Sequence, residues 1–301
     1  MARPAITSNG KRVRQGAPTR PGTDPPTALV TGASTGIGRA CVERLAARGW
    51  RVFASVRKAA DAQSLADTIG ERVTPLLFDV TDIPAIQAAG ARVVAACGEG
   101  GLDGVVNNAG IAVAGPLEFL PPVELRHQLD VNVVGQVAVT QAVLPALRKA
   151  RGRIILIGSI AGRSALPFTG AYSASKFALE ALADAWRIEL HPWGLDVVVI
   201  EPGAIATPIW ETGTQYALRI METLPPQVTE YYGRALDGMK RRAARGMGGL
   251  PPAAVAEVVE RALTDRRPRA RYLISATARV WLERLPTRLR DRLVLAGVKR
   301  L

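Results

Sequence analysis

The sequence predicts an α/β fold, a doubly wound parallel sheet in a single domain, on two observations. From Thr27 onward, short apolar, β-branched runs alternate with amphipathic or Ala-rich helical stretches. These runs are apolar throughout rather than every second residue, as strands covered on both faces are. The first run also ends in glycines that open a helix, the strand–turn–helix start of such sheets.

Each element follows in order. A first strand spans 28–31, and its amphipathic helix runs to about Arg48. Strands follow at 51–56 and 73–78, a fourth begins at Val105-Val106, and two more occupy 154–157 and 197–200. Right-handed crossovers through the intervening helices then give the doubly wound arrangement. Residues 205–250 break the rhythm with Pro, Gly, Tyr and Trp, and are expected to form an irregular or helical insertion. A helix at about 252–264 and a strand at about 271–275 close the domain. The final segment sets Val280, Trp281, Leu285, Leu289, Leu293 and Leu295 among arginines, with Pro286 dividing two helical pieces. The organisation is therefore a basic, Pro-rich disordered arm (1–26), the cofactor-binding domain (27–275, with 205–250 as the substrate-loop insertion) and an Arg-rich amphipathic helical tail (276–301).

Composition narrows the class. The 301 residues are 48% hydrophobic and 22% charged, which excludes a disordered or collagen-like chain. The net charge of +13 invites a nucleic-acid or membrane reading until it is divided. Residues 1–26 carry +4 and 238–301 carry +11, leaving −2 on the centre. Cys41 and Cys97 show no CxxC spacing, and with His127 and His191 as the two histidines no metal site is expected. No apolar run is long enough to span a bilayer, and the N-terminus lacks a signal-peptide core. A reducing, cytoplasmic setting is expected.

The turn Thr31-Gly32-Ala33-Ser34-Thr35-Gly36-Ile37-Gly38 has the spacing to bring backbone amides to a diphosphate at the helix N-terminus. The second strand ends Val56-Arg57-Lys58, with no carboxylate where one would hold the 2′-hydroxyl of NAD. A guanidinium there suits a 2′-phosphate, so NADP(H) rather than NAD(H) is expected. Tyr172 and Lys176 stand four apart on one helix face. A lysine charge about 4 Å away would lower a phenol pKa by about 3 units, enough for acid/base work near neutrality. Ser159 follows the fifth strand, at the carboxyl end of the sheet where ligands bind. Asn107-Asn108-Ala109-Gly110, Asn132 and Pro202-Gly203 complete the pattern.

In this order and spacing, these residues resemble the classical short-chain dehydrogenases/reductases over about residues 27–275. The resemblance implies a Rossmann-type fold and a catalytic tetrad of Asn132, Ser159, Tyr172 and Lys176. Tyr172 would exchange the substrate proton. Lys176 would lower its pKa and bind the nicotinamide ribose, Ser159 would hydrogen-bond the reacting oxygen, and Asn132 would hold a water leading to Lys176. The cofactor would rest on Gly32, Ser34, Thr35, Gly36, Ile37 and Gly38, with Arg57 beside it. Asp79 and Val80 would flank the adenine and Asn107, Ala109 and Gly110 the adenosine side. Pro202, Gly203, Ile205 and Thr207 would hold the nicotinamide side.

Gly115-Pro116-Leu117-Glu118, Arg151-Gly152-Arg153 and Ile200-Glu201-Pro202-Gly203 further resemble the hydroxysteroid and retinol dehydrogenase branch. Apolar residues near the tetrad, among them Leu166, Phe168, Ile209 and Trp210, point to a lipophilic alcohol or ketone. The runner-up is a 3-oxoacyl-thioester (carrier protein) reductase. A reading from another class, a non-catalytic cofactor-sensing or nucleic-acid-binding regulator, finds no nucleic-acid motif in the sequence. Family members commonly form homodimers or homotetramers, and the tail leaves peripheral membrane contact open beside packing on the domain.

Overall fold

A computed structural model describes residues 24–244, 248–275 and 285–298. The arm predicted over 1–26 lies outside the described residues up to 23, as does the first piece of the tail, 276–284. In chain order the elements are β1 (Thr27–Val30), α1 (Gly36–Ala47), β2 (Arg51–Val56), α2 (Ala59–Ile69), β3 (Val73–Leu77), α3 (Ile83–Cys97) and β4 (Gly104–Asn107). Next come α4 (Pro122–Leu129), α5 (Gly135–Ala150), β5 (Arg153–Ile157), α6 (Gly170–Glu189), β6 (Asp196–Pro202) and α7 (Ile209–Glu222). Then follow α8 (Gln227–Ala244), α9 (Pro252–Thr264), β7 (Arg271–Ile274) and α10 (Thr287–Val298). A π-helical turn, Asp130–Val134, joins α4 to α5.

The strands form one sheet in the order β3-β2-β1-β4-β5-β6-β7, every neighbour parallel. The order reverses between β1 and β4, opening a crevice at the carboxyl ends of the central strands. Alternate residues of each strand enter different cores. Val30, Val52, Val106 and Ile155 pack with Val42 and Leu45 of α1, Leu65 of α2 and Val255 and Val259 of α9. Leu29, Phe53, Val105, Ile154 and Leu156 face Ile86 and Val93 of α3, Val139 and Val143 of α5 and Ala183 of α6. Both faces are covered, which is why the strands read as unbroken apolar runs.

The 205–250 insertion is chiefly two helices, α7 and α8. Ile220 of α7 joins Val113 and Ala171 in a small third core, with Tyr216 and Leu224 packed against it. This places α7 over the carboxyl end of the sheet. Cys41 and Cys97 are buried, Cys97 with its Sγ 3.9 Å from Thr27 Oγ1, and burial pushes the Cys41 thiol up to about 12, so it acts as a small apolar side chain.

Leu156 is fully buried at the middle of the sheet. Leu156→Ala should lower stability by about 2–5 kcal/mol in equilibrium urea unfolding. A loss under about 1 kcal/mol would contradict a close-packed core on β5.

Candidate active site

The site is built where β1, β4, β5 and β6 end. At β1, the glycine turn needs its glycines. Gly32 and Gly36 have φ of +65° and +57°, the left-handed region that costs other residues strain. A Cβ on Gly32 would stand 2.8 Å from Cα of Ala109, and one on Gly38 2.2 Å from the Gly32 carbonyl oxygen. The turn and the end of β4 are therefore in backbone contact. Thr31 locks them together: its Oγ1 accepts from the Asn108 and Ala109 amides at 2.9 and 3.0 Å. Asn108 Nδ2 returns bonds to the carbonyls of Thr31 and Gly32.

α1 begins with no side-chain cap and no acidic residue in its first turn. Its leading amides at Ser34 to Ile37 suit an anion, so the turn fits a diphosphate. Arg57, largely exposed at the end of β2, lies 3.8 Å from Asp79 after β3. Thr207 stands over Gly36, where an added Cβ would come within 3.1 Å of its Cγ2. Val80 and Ile205 are at most 7% exposed and pack in the two large cores. Any contact they make with a ligand falls to their backbone. Gly203 is fixed by its amide to the Ile274 carbonyl at 2.7 Å.

At β5 the backbone leaves the sheet into Ser159, and α6 crosses it carrying Tyr172 and Lys176. All three side chains are buried, and Ser159 Oγ accepts from the Ala161 amide at 3.1 Å and donates to the Pro202 carbonyl at 3.5 Å. Lys176 Nζ donates to the Ile157 carbonyl at 2.7 Å and lies 5.7 Å from the centre of the Tyr172 ring. Burial holds the Lys176 ammonium down to about 8.

The expected lowering of the tyrosine is not what this geometry gives. Burial raises the Tyr172 hydroxyl above its ordinary value, and the Ser159 hydroxyl opposes it. The reason is desolvation, which a sequence does not display, together with an ammonium directed at Ile157 rather than at the phenol oxygen. Trp210 of α7 meets the Tyr172 ring edge-on at 5.6 Å, and Phe168 packs edge-on against Tyr232 of α8 at 5.9 Å. Phe168 holds a left-handed backbone, φ 64°, unusual for a large side chain and found here beside the site.

Asn132 is fully buried in the π-helical turn. Its side chain accepts from the Ile111 amide at 2.9 Å and donates to the Ile111 carbonyl and Ser175 Oγ, both at 3.1 Å. Ser175 Oγ donates in turn to the Tyr172 carbonyl at 2.7 Å. The structure thus gathers Asn132, Ser159, Tyr172 and Lys176 into one buried region. Sequence reasoning passes over Ser175, Asn108 and the locking role of Thr31. Only their hydrogen bonds single them out, although Thr31 heads the glycine motif.

The profile of the short chain dehydrogenase family matches residues 26–216. The chain belongs to the short-chain dehydrogenase family. It is 36% identical over 282 residues to the NADPH-dependent 3-dehydrocapnine reductase of Ornithobacterium rhinotracheale, covering 91% of this chain and 98% of that one. It is also 36% identical over 273 residues to mouse retinol dehydrogenase 5, covering 87% and 86%. A short-chain dehydrogenase from Streptomyces avermitilis superposes with TM-score 0.73 at 28% identity, over 93% of this chain and 98% of that one. This short-chain dehydrogenase is accordingly an oxidoreductase of the hydroxysteroid and retinol dehydrogenase-like branch.

Beyond Ser159 this short-chain dehydrogenase holds a partly buried ion cluster around Glu201. Glu201, 1% exposed at the end of β6, accepts from Arg163, while Arg271 of β7 bridges Glu180 and Asp184 of α6 at 2.8 Å each. Burial raises the Glu201 carboxyl to about 7, with Arg163 opposing and Glu180 reinforcing. The folded protein then holds this proton more tightly than the unfolded chain. Its contribution to stability falls as pH climbs from the ordinary carboxylate range through about 7. Glu201→Gln abolishes that slope. Melting temperatures of both proteins between pH 5 and 8 should shift in favour of the variant as pH rises, and a constant difference would contradict a raised carboxyl.

Proposed function

We propose that the protein is an NADP(H)-dependent carbonyl reductase for bulky, lipophilic ketones or aldehydes, resting most directly on the buried Tyr172–Ser159 hydroxyl pair. A phenol held above its ordinary pKa stays protonated near neutral pH. It can give a proton to an oxygen that gains negative charge, as carbonyl reduction requires. The NADPH-dependent reductase relative supports both the direction and the cofactor.

In this reading the amides of Ser34 to Ile37, with Gly32, Gly36 and Gly38 allowing close approach, hold the diphosphate. Arg57 holds the 2′-phosphate. Asp79 and the Val80 backbone border the adenine, and Asn107, Ala109 and Gly110 border the adenosine side. Pro202, Gly203, the Ile205 backbone and Thr207 border the nicotinamide. When bound, NADPH supplies the hydride.

The chain's own residues do the rest. Ser159 donates a hydrogen bond to the carbonyl oxygen and stabilises charge as it develops there. Tyr172 delivers its proton to that oxygen. Lys176, fixed by Ile157, keeps a positive charge 5.7 Å from the centre of the Tyr172 ring, where it offsets part of the charge on the phenolate left behind. Asn132 has its side chain engaged by Ile111 and Ser175, so a water leading to Lys176 would use its backbone carbonyl. Trp210 and Phe168 supply apolar walls and exclude water.

The substrate class follows from those walls and from the retinol dehydrogenase relative. Among the described residues no helix is long and apolar enough to cross a membrane. α10 exposes Leu289, Leu293 and Leu295 by about half among arginines, a face suited to peripheral contact with an anionic lipid surface. Phe177 and Ile188 stand exposed on α6 and favour a homo-oligomer.

NADPH oxidation should be screened against steroid ketones, retinal and aromatic ketones. Turnover with at least one class is expected, and Tyr172→Phe should cut it by about 10²-fold or more. Full activity in that variant would refute the mechanism. Arg57→Ala should raise the KM for NADPH by about tenfold or more while leaving that for NADH unchanged. Equal effects on both would remove Arg57 from the 2′-phosphate site.

A further inference from the structure

α4, the π-helical turn and α5 run without a break from Pro122 to Ala150. Four polar side chains recur on this rod at every fourth position, Gln128, Asn132, Gln136 and Thr140, and none is more than 1% exposed. The mechanism above uses only Asn132.

Their partners lie on the segment leaving β4, in reverse order and at every second residue. Thr140 Oγ1 accepts from Asn107 Nδ2 at 2.8 Å. Gln136 Nε2 donates to the Ala109 carbonyl at 3.3 Å. Asn132 takes both backbone groups of Ile111. Gln128 Oε1 accepts from the Val113 amide at 2.7 Å, and its Nε2 donates to the Ile111 carbonyl at 3.0 Å. Four helical residues rise about 6 Å and two extended residues about 6.6 Å, so the two repeats stay in step.

The π-helical turn keeps the ladder on one face. In an unbroken α-helix each four-residue step overshoots a turn by about 40°, or about 120° over three steps. One inserted residue takes back about 100°. Asp130–Val134 supplies that residue in the middle of the ladder.

The ladder pairs backbone groups of Ala109, Ile111 and Val113 beyond the end of β4, which apolar side chains would leave unpaired. Two of its amide oxygens, Asn107 Oδ1 and Gln136 Oε1, are buried with no donor among the described residues, which costs stability. The ladder also reaches the catalytic helix: Gln128 and Asn132 both donate to Ser175 Oγ, which is bonded to the Tyr172 carbonyl.

We propose that Gln128 and Gln136 are positioning residues, each setting a different part of the 107–113 segment. Gln136 fixes Ala109, which abuts Gly32 of the glycine turn, and so sets cofactor affinity. Gln128 fixes Val113 and, through Ser175, the backbone of Tyr172, and so sets the rate of the chemical step.

The catalytic part rests on the reductase reading; the structural part does not, and the test separates them. In the protein without added ligand, Gln128→Met should speed amide exchange at Val113 by about tenfold or more, with Gly36–Ala47 exchange unchanged. Gln136→Met should leave Val113 exchange unchanged. With NADPH and a reducible ketone, Gln136→Met should raise the NADPH Kd about tenfold with kcat within about threefold. Gln128→Met should do the reverse. If Gln128→Met fails to fold, Gln128→Glu replaces it: it keeps the acceptor for the Val113 amide, so protection at Val113 should persist while kcat falls. Unchanged Val113 exchange in Gln128→Met overturns the ladder. Kd rising and kcat falling together, in proportion to lost stability, in both variants overturns the division of roles. A wild-type protein that shows the exchange pattern but neither binds nor oxidises NADPH refutes the reductase reading and leaves the ladder standing.

Discussion

The geometry of the site depends on one buried hydrogen bond, from the Lys176 ammonium to the Ile157 carbonyl. A charge this deep is costly unless it is held by an acceptor, so the bond fixes where α6 crosses the end of β5. Ser159 lies two residues beyond Ile157, and Tyr172 lies one helical turn before Lys176. Fixing one contact therefore brings the two hydroxyls together. Gly162 answers the same constraint, since a Cβ there would stand 2.9 Å from the Lys176 carbonyl oxygen. One turn further along α6, Glu180 enters the ion cluster with Arg271, so the same helix face joins the sheet at successive levels.

Much of this was legible in the sequence because its signals are local. Apolar runs gave β2 as 51–56 and placed the other strands to within a few residues, since in strands covered on both faces apolar residues dominate and polar ones such as Thr27, Asn107, Arg153 and Asp196 stand at the ends. Gly32, Gly36 and Gly38 were legible because a tight turn and close backbone approach tolerate little else. Tyr172 and Lys176 were legible from spacing. The protonation of Tyr172 was not, because it depends on burial by elements far away in the chain, including Trp210. The 205–250 segment was legible only as irregular or helical, because its Pro, Gly, Tyr and Trp obscured two amphipathic helices whose apolar sides, with Tyr216 and Ile220 of α7 and Val228 and Leu236 of α8, turn inward. Gln128, Asn132, Gln136 and Thr140 did carry a period of four, but it marks a polar face turned inward, which hydrophobic patterning does not look for.

The net charge of +13 has a similar moral. It belongs to the two ends of the chain, whereas the centre, which holds the glycine turn and the tetrad, carries −2. Apart from Lys176, which the Ile157 carbonyl holds, charges around the site come in opposed pairs, Arg163 with Glu201 and Arg271 with Glu180. A near-neutral, desolvated site with apolar walls suits an uncharged ketone better than an anionic substrate.

The proposed reaction is reduction of a carbonyl, with Tyr172 providing the proton. The direct measurement is the fate of label in the product when NADPH carries deuterium at both positions of the transferring nicotinamide carbon and the solvent is ordinary water. One deuterium bound to the carbinol carbon, lost with the Tyr172→Phe variant, is the result expected. Carbinol product without that deuterium, or undiminished labelled product from the variant, would contradict the account.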